Sequence, residues 1–347
     1  MNSMRIANYP HRLGGHCGSG ALRDLLEWAG LGWGGPPGEG LVFGLGGGLS
    51  FMYTRVSALA PPIYLVGRNG DMELDFCRRL GIATERRQTD DSEQGWRWVS
   101  QEIDAGRPVM VWADIAELPY LRVRLSNTRH DIVVIGYDQT RGIAWVADND
   151  REQVQEVPLP ALARARASHG FPGPNRHATY PMRFPDRLPE LLPAARDAAA
   201  SAARNMRGTD ATLFDPASLP AGSIVASGLA GVEVFAEELA AWRDAFTGEQ
   251  LRVALRALPV FVEKAGTGGG LFRRLEAEFC SEVGRLTGDQ AFARAADALL
   301  DCANAWSQLA AHAAAESPDW PGLLALAAGL PPLEERAVQA LEQAAGA

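Results

Sequence analysis

The sequence lacks the cysteine patterns of a zinc ribbon or of a disulfide-stapled domain. Its four cysteines, at positions 17, 77, 280 and 302, show no CxxC spacing and no paired framework. It holds one lysine, Lys264, which leaves a single candidate for Schiff-base or pyridoxal-phosphate chemistry. No apolar run approaches the roughly 20 residues that span a bilayer, and the N-terminal text has no apolar core of a secretory signal. We therefore expect a cytoplasmic protein without membrane contacts.

Positive charge is also scarce. The formal net charge is −9 over 347 residues, whereas nonspecific nucleic-acid binding needs a basic face that releases counterions. We therefore expect no nucleic-acid partner. The sequence is 47% hydrophobic and 22% charged, which is ordinary for a globular protein. A chain of this length predicts two domains.

The stretch His11–Gly30 passes from a glycine-rich turn into a helix. Apolar residues then recur at helical spacing and form one face, namely Leu22, Leu25, Leu26 and Ala29. Cys17 stands where this helix begins, with Ser19 available as the capping residue. The helix dipole and the unpaired N–H groups at that end favour a thiolate, as in a nucleophile. The alternative is a buried cysteine that packs as a small hydrophobe, which is the role we predict for the other three cysteines.

Two apolar runs, Ile132–Tyr137 and Ile143–Ala147, are joined by a polar turn and predict a β-hairpin. His130 begins the first strand and Asp148 ends the second, so both lie at the open end. If the turn centres near Thr140, positions 130 and 150 pair, and Asp148 becomes the diagonal neighbour of His130 on one face. A register slip of one residue would place the two side chains on opposite faces.

Cys17, His130 and Asp148 are the residue types that thiol catalysis requires. The thiolate attacks a carbonyl carbon, the imidazole moves the proton, and the carboxylate orients the imidazole. The chain order, with cysteine before histidine and histidine before Asp or Asn, is the papain-like order. Asn149 competes with Asp148 for the orienting role.

Four further positions are candidates for the site. An oxyanion hole built on the Cys17 backbone N–H needs a side-chain donor, for which His11 and His16 are the options. Asp114 ends an apolar strand, where site residues are often found, but it is equally suited to cap the following turn. Glu39 either lines the site or is an exposed acidic loop residue.

The run Gly44–Gly48 invites comparison with dinucleotide-binding loops. It lacks the third glycine of that fingerprint, and no clear strand precedes it. We expect instead a loop that lets the backbone approach a neighbouring element or an acyl substrate. The sequence after this run predicts the strands Pro62–Arg68 and Val109–Ala113 and the helices Met72–Leu80 and Trp96–Ala105.

From about Leu188 the sequence becomes rich in alanine, leucine and arginine, and its apolar residues recur at helical spacing. It predicts helices over Leu191–Met206, Val232–Phe246, Glu249–Lys264, Leu271–Leu286, Gln290–Ala315 and Pro321–Ala345. The run Gly266–Gly270 precedes a helix, where N–H groups suit a carboxylate or phosphate, unless it is a plain connecting loop. Arg273 and Arg274 are placed to meet the phosphopantetheine of a carrier.

Several motifs resemble, in order and spacing, those of one known family. They are GGHCGSGALRDLLEWAG, EGLVFGLGGGLSFMY, GRPVMVWADIAELPY and the hairpin RHDIVVIGYD with VADND. Over residues 5–185 the chain resembles the N-terminal domain of the butirosin biosynthesis protein H family, which is similar to the papain-like peptidases that remove bacteriocin leaders. The second half resembles the helical domain that accompanies it, most clearly in GTGGGLFRRLEAEFCSEVGRL.

This resemblance implies an α+β fold. A papain-like, cysteine-peptidase-type domain with an antiparallel sheet would cover 1–187, and an all-α domain would cover 188–347. It also implies an acyltransferase, because in butirosin assembly the family moves an aminoacyl group from an acyl carrier protein to an amine on an aminoglycoside. By matching position, Cys17 is the nucleophile, His130 the base and Asp148 the orienting group. The acyl group would arrive on a phosphopantetheine arm, with no resident cofactor or metal.

The resemblance to this family also implies residues that bind the substrate or the oxyanion. His11 stands where the related peptidases carry glutamine. Arg129 stands where relatives carry glycine, so it would narrow the approach to His130 or bind an anionic group. Tyr120, at the end of the third motif, joins the substrate-binding candidates.

Alternatives to the transferase remain open. A cysteine peptidase or amidase would use the same three residues with water as the acceptor. A binding or scaffold module of a biosynthetic assembly would keep the fold with an unreactive cysteine. For the transferase we expect an acyl carrier protein and a small-molecule amine as partners, and a homodimer is left open.

Overall fold

Two sets of residues pack as separate units along this chain. The computed structural model describes residues 3–209 and 219–346. The first unit comprises the chain up to Pro37 together with Glu73–Pro189, and the second comprises Gly38–Met72 together with the chain from Glu190 onward. The division predicted from the sequence, 1–187 and 188–347, differs in one segment, because Gly38–Met72 packs with the later part of the chain.

The first unit holds one antiparallel sheet with helices. Numbered along the whole chain, its elements are β1 (Ser3–Arg5), α1 (Cys17–Trp28), α3 (Met72–Arg79), α4 (Ser92–Asp104), β4 (Val109–Ala113), β5 (His130–Asp138), β6 (Ile143–Ala147), β7 (Gln155–Pro158), α5 (Leu159–Ala167) and β8 (Thr179–Tyr180). The strand order is β7-β6-β5-β4-β8, and β1 pairs with β5. The predicted hairpin is therefore the β5–β6 pair near the middle of this sheet.

The second unit is mostly helical and includes a small antiparallel sheet. Its elements are α2 (Glu39–Leu45), β2 (Leu49–Arg55), β3 (Ile63–Arg68), α6 (Leu191–Arg207), β9 (Ile224–Ser227), α7 (Gly228–Ala245), α8 (Gly248–Pro259), α9 (Arg273–Thr287), α10 (Gln290–Ala313), α11 (Trp320–Ala328) and α12 (Leu330–Ala345). The fold class is α+β, as predicted. The part after residue 188 is not purely helical, because β9 adds a strand to β2 in the order β3-β2-β9.

Glycines explain why Gly38–Met72 belongs to the second unit. Helix α2 packs against α9, and a Cβ at Gly44 would overlap the ring of Phe279 on α9. A Cβ at Gly40 would likewise meet Glu278 and the backbone of α9. The glycine-rich stretch thus lets two backbones approach closely, as expected from the sequence. Its first part is helical, however, and forms α2.

Three helix ends differ from the predicted bounds, because capping side chains, positive φ angles or a glycine set them. Helix α4 begins at Ser92 instead of Trp96, because the Asp91 side chain accepts from the N–H groups of the first turn. Helix α9 begins at Arg273 instead of Leu271, because residues 271 and 272 have positive φ. The helix predicted over Pro321–Ala345 is two helices, with Gly329 between α11 and α12.

Within residues 3–209 and 219–346, no helix combines the length and apolarity needed to cross a membrane.

The close approach of α2 and α9 predicts the effect of adding one methyl group. Gly44→Ala forces the new Cβ into the Phe279 ring, so we expect the free energy of unfolding to fall by about 1–3 kcal/mol in chemical denaturation. Gly248→Ala, in the same unit, is the matched control, because a Cβ there meets nothing within 4 Å. An equal effect of the two substitutions would contradict this packing.

Candidate active site

A β-bulge sets the geometry of the hairpin end. Val133 pairs with Ala147, and the register shifts by one residue at Ile135. On the open side of the bulge, position 132 therefore falls opposite Asp148, which leaves His130 on the same face as Asp148. Had the register of the turn side continued, position 133 would lie opposite Asp148 and His130 would face the other way.

Asp148 is a fully buried carboxylate that accepts three hydrogen bonds. His130 Nε2 lies 2.9 Å from its Oδ2, and the Tyr120 hydroxyl donates to the same oxygen at 2.6 Å. The Asp150 N–H donates to Oδ1 at 3.0 Å. Burial alone would raise the pKa of Asp148, but the imidazole of His130 and these hydrogen bonds lower that pKa to about 2. Tyr120, predicted to bind substrate, is thus a partner of Asp148.

Cys17 lies at the first position of α1 and is partly exposed. Burial of the sulfur raises its pKa, but the imidazole of His16 and a hydrogen bond with His130 outweigh burial and bring the pKa well below 9.0. Burial lowers the pKa of His130, yet Asp148 and Cys17 raise that pKa well above 6.5. The electrostatics therefore favour a thiolate beside an imidazolium.

The other three cysteines are buried, as predicted, and differ from Cys17 in their chemistry. Burial raises the pKa of Cys77, of Cys280 and of Cys302. Carboxylates near each of them act in the same direction. Cys17 is the one described cysteine that has two imidazoles near its sulfur, so it is the best nucleophile among them.

His16, rather than Ser19, caps helix α1. Its Nδ1 accepts from the Ser19 N–H at 3.2 Å, and the Ser19 hydroxyl lies 3.1 Å from the same nitrogen. Because a backbone N–H only donates, Nδ1 acts as the acceptor and the ring proton belongs on Nε2. The predicted capping residue is therefore the donor of the capping bond, and the imidazole before Cys17 is fixed in one tautomer.

Both ring nitrogens of His11 have polar partners. Its Nδ1 lies 3.3 Å from Asp24 Oδ2, and its Nε2 lies 2.8 Å from the Arg151 carbonyl oxygen. Asn149 donates to Asp24 Oδ2 at 2.9 Å and to a backbone carbonyl. Both partners of His11 accept hydrogen bonds, so neither ring nitrogen is available to an oxyanion. The Asn149 amide is likewise used, which leaves the carboxylate of Asp148 as the group that orients His130.

The Asp114 carboxylate accepts hydrogen bonds from several loop residues. Its Oδ2 accepts from the hydroxyls of Ser126 and Ser168, each at 2.6 Å. Its Oδ1 accepts from the N–H groups of Ala116 and Asn127 at 3.0 and 3.1 Å. The capping role weighed for Asp114 is therefore the one that its contacts support, and its carboxylate stabilises the loop that leads to His130.

Arg129 and Glu39 occupy different surroundings. Arg129 has φ of 59°, a left-handed conformation that costs a non-glycine residue about 1–2 kcal/mol. Its guanidinium lies over the Trp112 ring at 5.4 Å, and its backbone N–H donates to Asn175.

Glu39 begins α2 and belongs to the second unit, whereas Cys17 belongs to the first.

Sequence reasoning missed an acidic residue beside the sulfur. Asp131 Oδ2 lies 3.9 Å from Cys17 Sγ, and Asp131 is fully buried. Glu73 is also buried close by, because a Cβ on Gly18 would touch its carboxylate and would lie near Asp131. The available signal was an aspartate directly after His130, within an otherwise apolar strand.

The anion site suggested for Gly266–Gly270 is filled by the chain itself. The Gly270 N–H donates to the Glu263 carboxylate, and the Gly269 N–H donates to the Thr267 hydroxyl. Arg273 is buried and pairs with Glu334 at 2.8 Å, so it cannot meet a phosphopantetheine. Over the described part of the chain, no group of three or more His, Cys, Asp or Glu residues is arranged to hold a metal ion.

Two family models match this chain. The model described as butirosin biosynthesis protein H, N-terminal, matches residues 16–149, the range that holds Cys17, His130 and Asp148. A model described as a domain of unknown function, DUF4872, matches residues 160–341. Among curated proteins, none matches the chain.

The surroundings of Cys17 predict its reactivity. Because His16 and His130 lower the pKa of Cys17 below 9.0, iodoacetamide should alkylate Cys17 well below that pH. His130→Ala removes one of the two imidazoles and raises the pKa of the thiol, so the alkylation rate at pH 7 should fall by about tenfold. Peptide mapping over a pH series measures this, with the exposed His169→Ala as control. If the alkylation rate depended on pH equally in His130→Ala and in the native protein, a pairing of the Cys17 thiolate with the His130 imidazolium would be contradicted.

Proposed function

Since the chain belongs to the butirosin biosynthesis protein H family, we propose that it is a cysteine-dependent acyltransferase of natural-product biosynthesis. It would move an acyl or aminoacyl group from a carrier-protein thioester, through Cys17, to an amine. The observation that carries this proposal is a partly exposed thiol with a lowered pKa beside His130, whose other ring nitrogen lies 2.9 Å from buried Asp148. These groups are suited to covalent catalysis at a carbonyl.

The first half-reaction would acylate Cys17. The thiolate attacks the thioester carbonyl, a new C–S bond forms to Cys17, and the bond to the carrier's phosphopantetheine sulfur breaks. The His130 imidazolium gives its proton to the departing thiolate. One thioester replaces another, so the enzyme has to position the groups and stabilise the oxyanion.

The second half-reaction would form the amide. The amine attacks the acyl-enzyme carbonyl, the C–N bond forms, and the C–S bond to Cys17 breaks. Neutral His130 takes the proton that the amine loses, which restores the thiolate and the imidazolium. Asp148 holds the His130 ring by its Nε2, so that Nδ1 is the nitrogen that exchanges protons with the sulfur and the amine.

The oxyanion would be held at the start of α1. The Cys17 backbone N–H is one donor, at the end of the helix where the dipole is positive. His16 is the proposed side-chain donor, because its Nδ1 accepts from Ser19 and its proton therefore lies on Nε2. His11 is unsuited, because both of its ring nitrogens have acceptor partners.

Asp131 supports an amine over water as the acceptor. The Cys17 thiol can donate a hydrogen bond to the Asp131 carboxylate, with Sγ 3.9 Å from Oδ2, whereas the thiolate that attacks would be repelled by it. The same carboxylate would attract a cationic amine and accept a hydrogen bond from the attacking nitrogen. Hydrolysis by the same residues needs no such charge. The acceptor amine, the carrier and a cytoplasmic location without a resident cofactor are parts of this one proposal.

Intact-protein mass spectrometry tests the covalent step. The native protein, mixed with acyl-loaded carrier proteins, should gain the mass of the acyl group, and an added amine should discharge it as an amide. Cys17→Ala should gain no mass, because no nucleophile remains, whereas Cys77→Ala should behave as the native protein because Cys77 is buried. Turnover by Cys17→Ala would refute the mechanism, and free acid formed at equal rates with and without the amine would favour a hydrolase.

Steady-state kinetics tests the acceptor role of Asp131. Asp131→Asn keeps the size of the side chain and removes its charge, so the KM for the amine should rise about tenfold, while the rate of acylation is retained. Asp186→Asn, at an exposed position, is the control for a general loss of negative charge. A slower acylation with an unchanged KM for the amine would assign Asp131 to another role.

A further inference from the structure

Arg166 is a buried cation whose partners are all neutral. It lies on α5 and is almost fully buried, yet its guanidinium donates to two backbone carbonyls and to the Thr179 hydroxyl. Its Nε has no hydrogen-bond partner within the described residues. Two other buried arginines behave differently, because Arg23 pairs with Asp24 and Arg273 pairs with Glu334. A buried charge is normally paired, but Arg166 has no anionic partner in the described part of the chain.

An apolar cavity of about 260 Å³ adjoins this cation. Trp96 and Leu162 are among its walls, and Arg166 is part of its lining. Ser92 and Ala163, which are exposed, also line it and connect it to the surface. The cavity is large enough for a small organic molecule.

His177 adds a second unpartnered polar group to the same cavity. It lines the cavity, is buried, and its Nδ1 has no partner within the described residues. Its φ is 49°, an unfavourable conformation for a residue with a side chain. Gly95 permits this placement, because a Cβ there would collide with the imidazole. Burial, and next the charge of Arg166, lower the pKa of His177 to about 4, so the ring is neutral and adds no charge.

We propose that this cavity binds a small monocarboxylate with an apolar body. The carboxylate pairs with Arg166 and supplies the missing negative charge, and the neutral imidazole of His177 hydrogen-bonds to it. The apolar body fills the space between Trp96 and Leu162, where it is removed from water. Burial also lowers the pKa of Arg166, to about 9, a cost that a bound anion would relieve. The site uses none of the residues assigned to acyl transfer.

Calorimetry with the full chain tests the site, with benzoate as the probe and benzamide as its neutral counterpart. Benzoate should bind at least about tenfold more tightly than benzamide, because only the acid pairs with the guanidinium. Ala163→Trp places a large ring in the cavity mouth from an exposed position and should abolish benzoate binding. Ala167→Trp, at an exposed position of the same helix outside the cavity lining, should leave it unchanged.

Four results would overturn the proposal. Equal affinity for benzoate and benzamide would remove the role of Arg166, and inorganic phosphate binding as tightly as benzoate would remove the role of the apolar walls. Benzoate binding that survives in Ala163→Trp would place the ligand elsewhere. Cys17→Ser separates the two proposals, since it should bind benzoate normally even though it cannot carry out thiol chemistry, and loss of benzoate binding in that variant would also refute this site.

Discussion

The hydrogen bond between His130 and Asp148 depends on a single extra residue in one strand. The bulge at Ile135 shifts the β5–β6 register so that both side chains share a face, where the 2.9 Å contact forms. Asp148 is then held from two more directions, by the Tyr120 hydroxyl and the Asp150 N–H. The charge and tautomer of His130, and through them the state of Cys17, follow from this arrangement.

Environment, rather than residue type, separates the four cysteines. Burial and nearby carboxylates favour the neutral thiol at Cys77, Cys280 and Cys302, and at Cys302 they outweigh two nearby arginines. Cys17 lies at a helix start with imidazoles nearby, which favours the thiolate. The acidic side chain of Asp131 beside this thiolate works against that charge.

The sequence predicted the features that local patterns encode. Helix α1 starts at Cys17 and buries its apolar face as its spacing indicates, and the hairpin strands contain the two apolar runs that predicted them. No sequence pattern predicts the bulge or the capping by His16, because the first is a one-residue shift of strand register and the second is a single side-chain hydrogen bond. The pairing of β2 with β9 joins positions about 170 residues apart in the chain, and no periodicity reports on a partner so distant. Asp131 was overlooked because a charge inside an apolar strand looks like a poor core residue.

The discontinuous make-up of the second unit has a consequence for synthesis on the ribosome. Strands β2 and β3 emerge early and pair as a hairpin, but the other edge of β2 pairs with Ile224–Ser227. That edge stays open while the 168 residues between Arg55 and Ile224 are translated, which is nearly half of the chain. An open edge beside buried side chains is a template for wrong partners, so chaperone demand should be highest during that interval and should fall once β9 has been made.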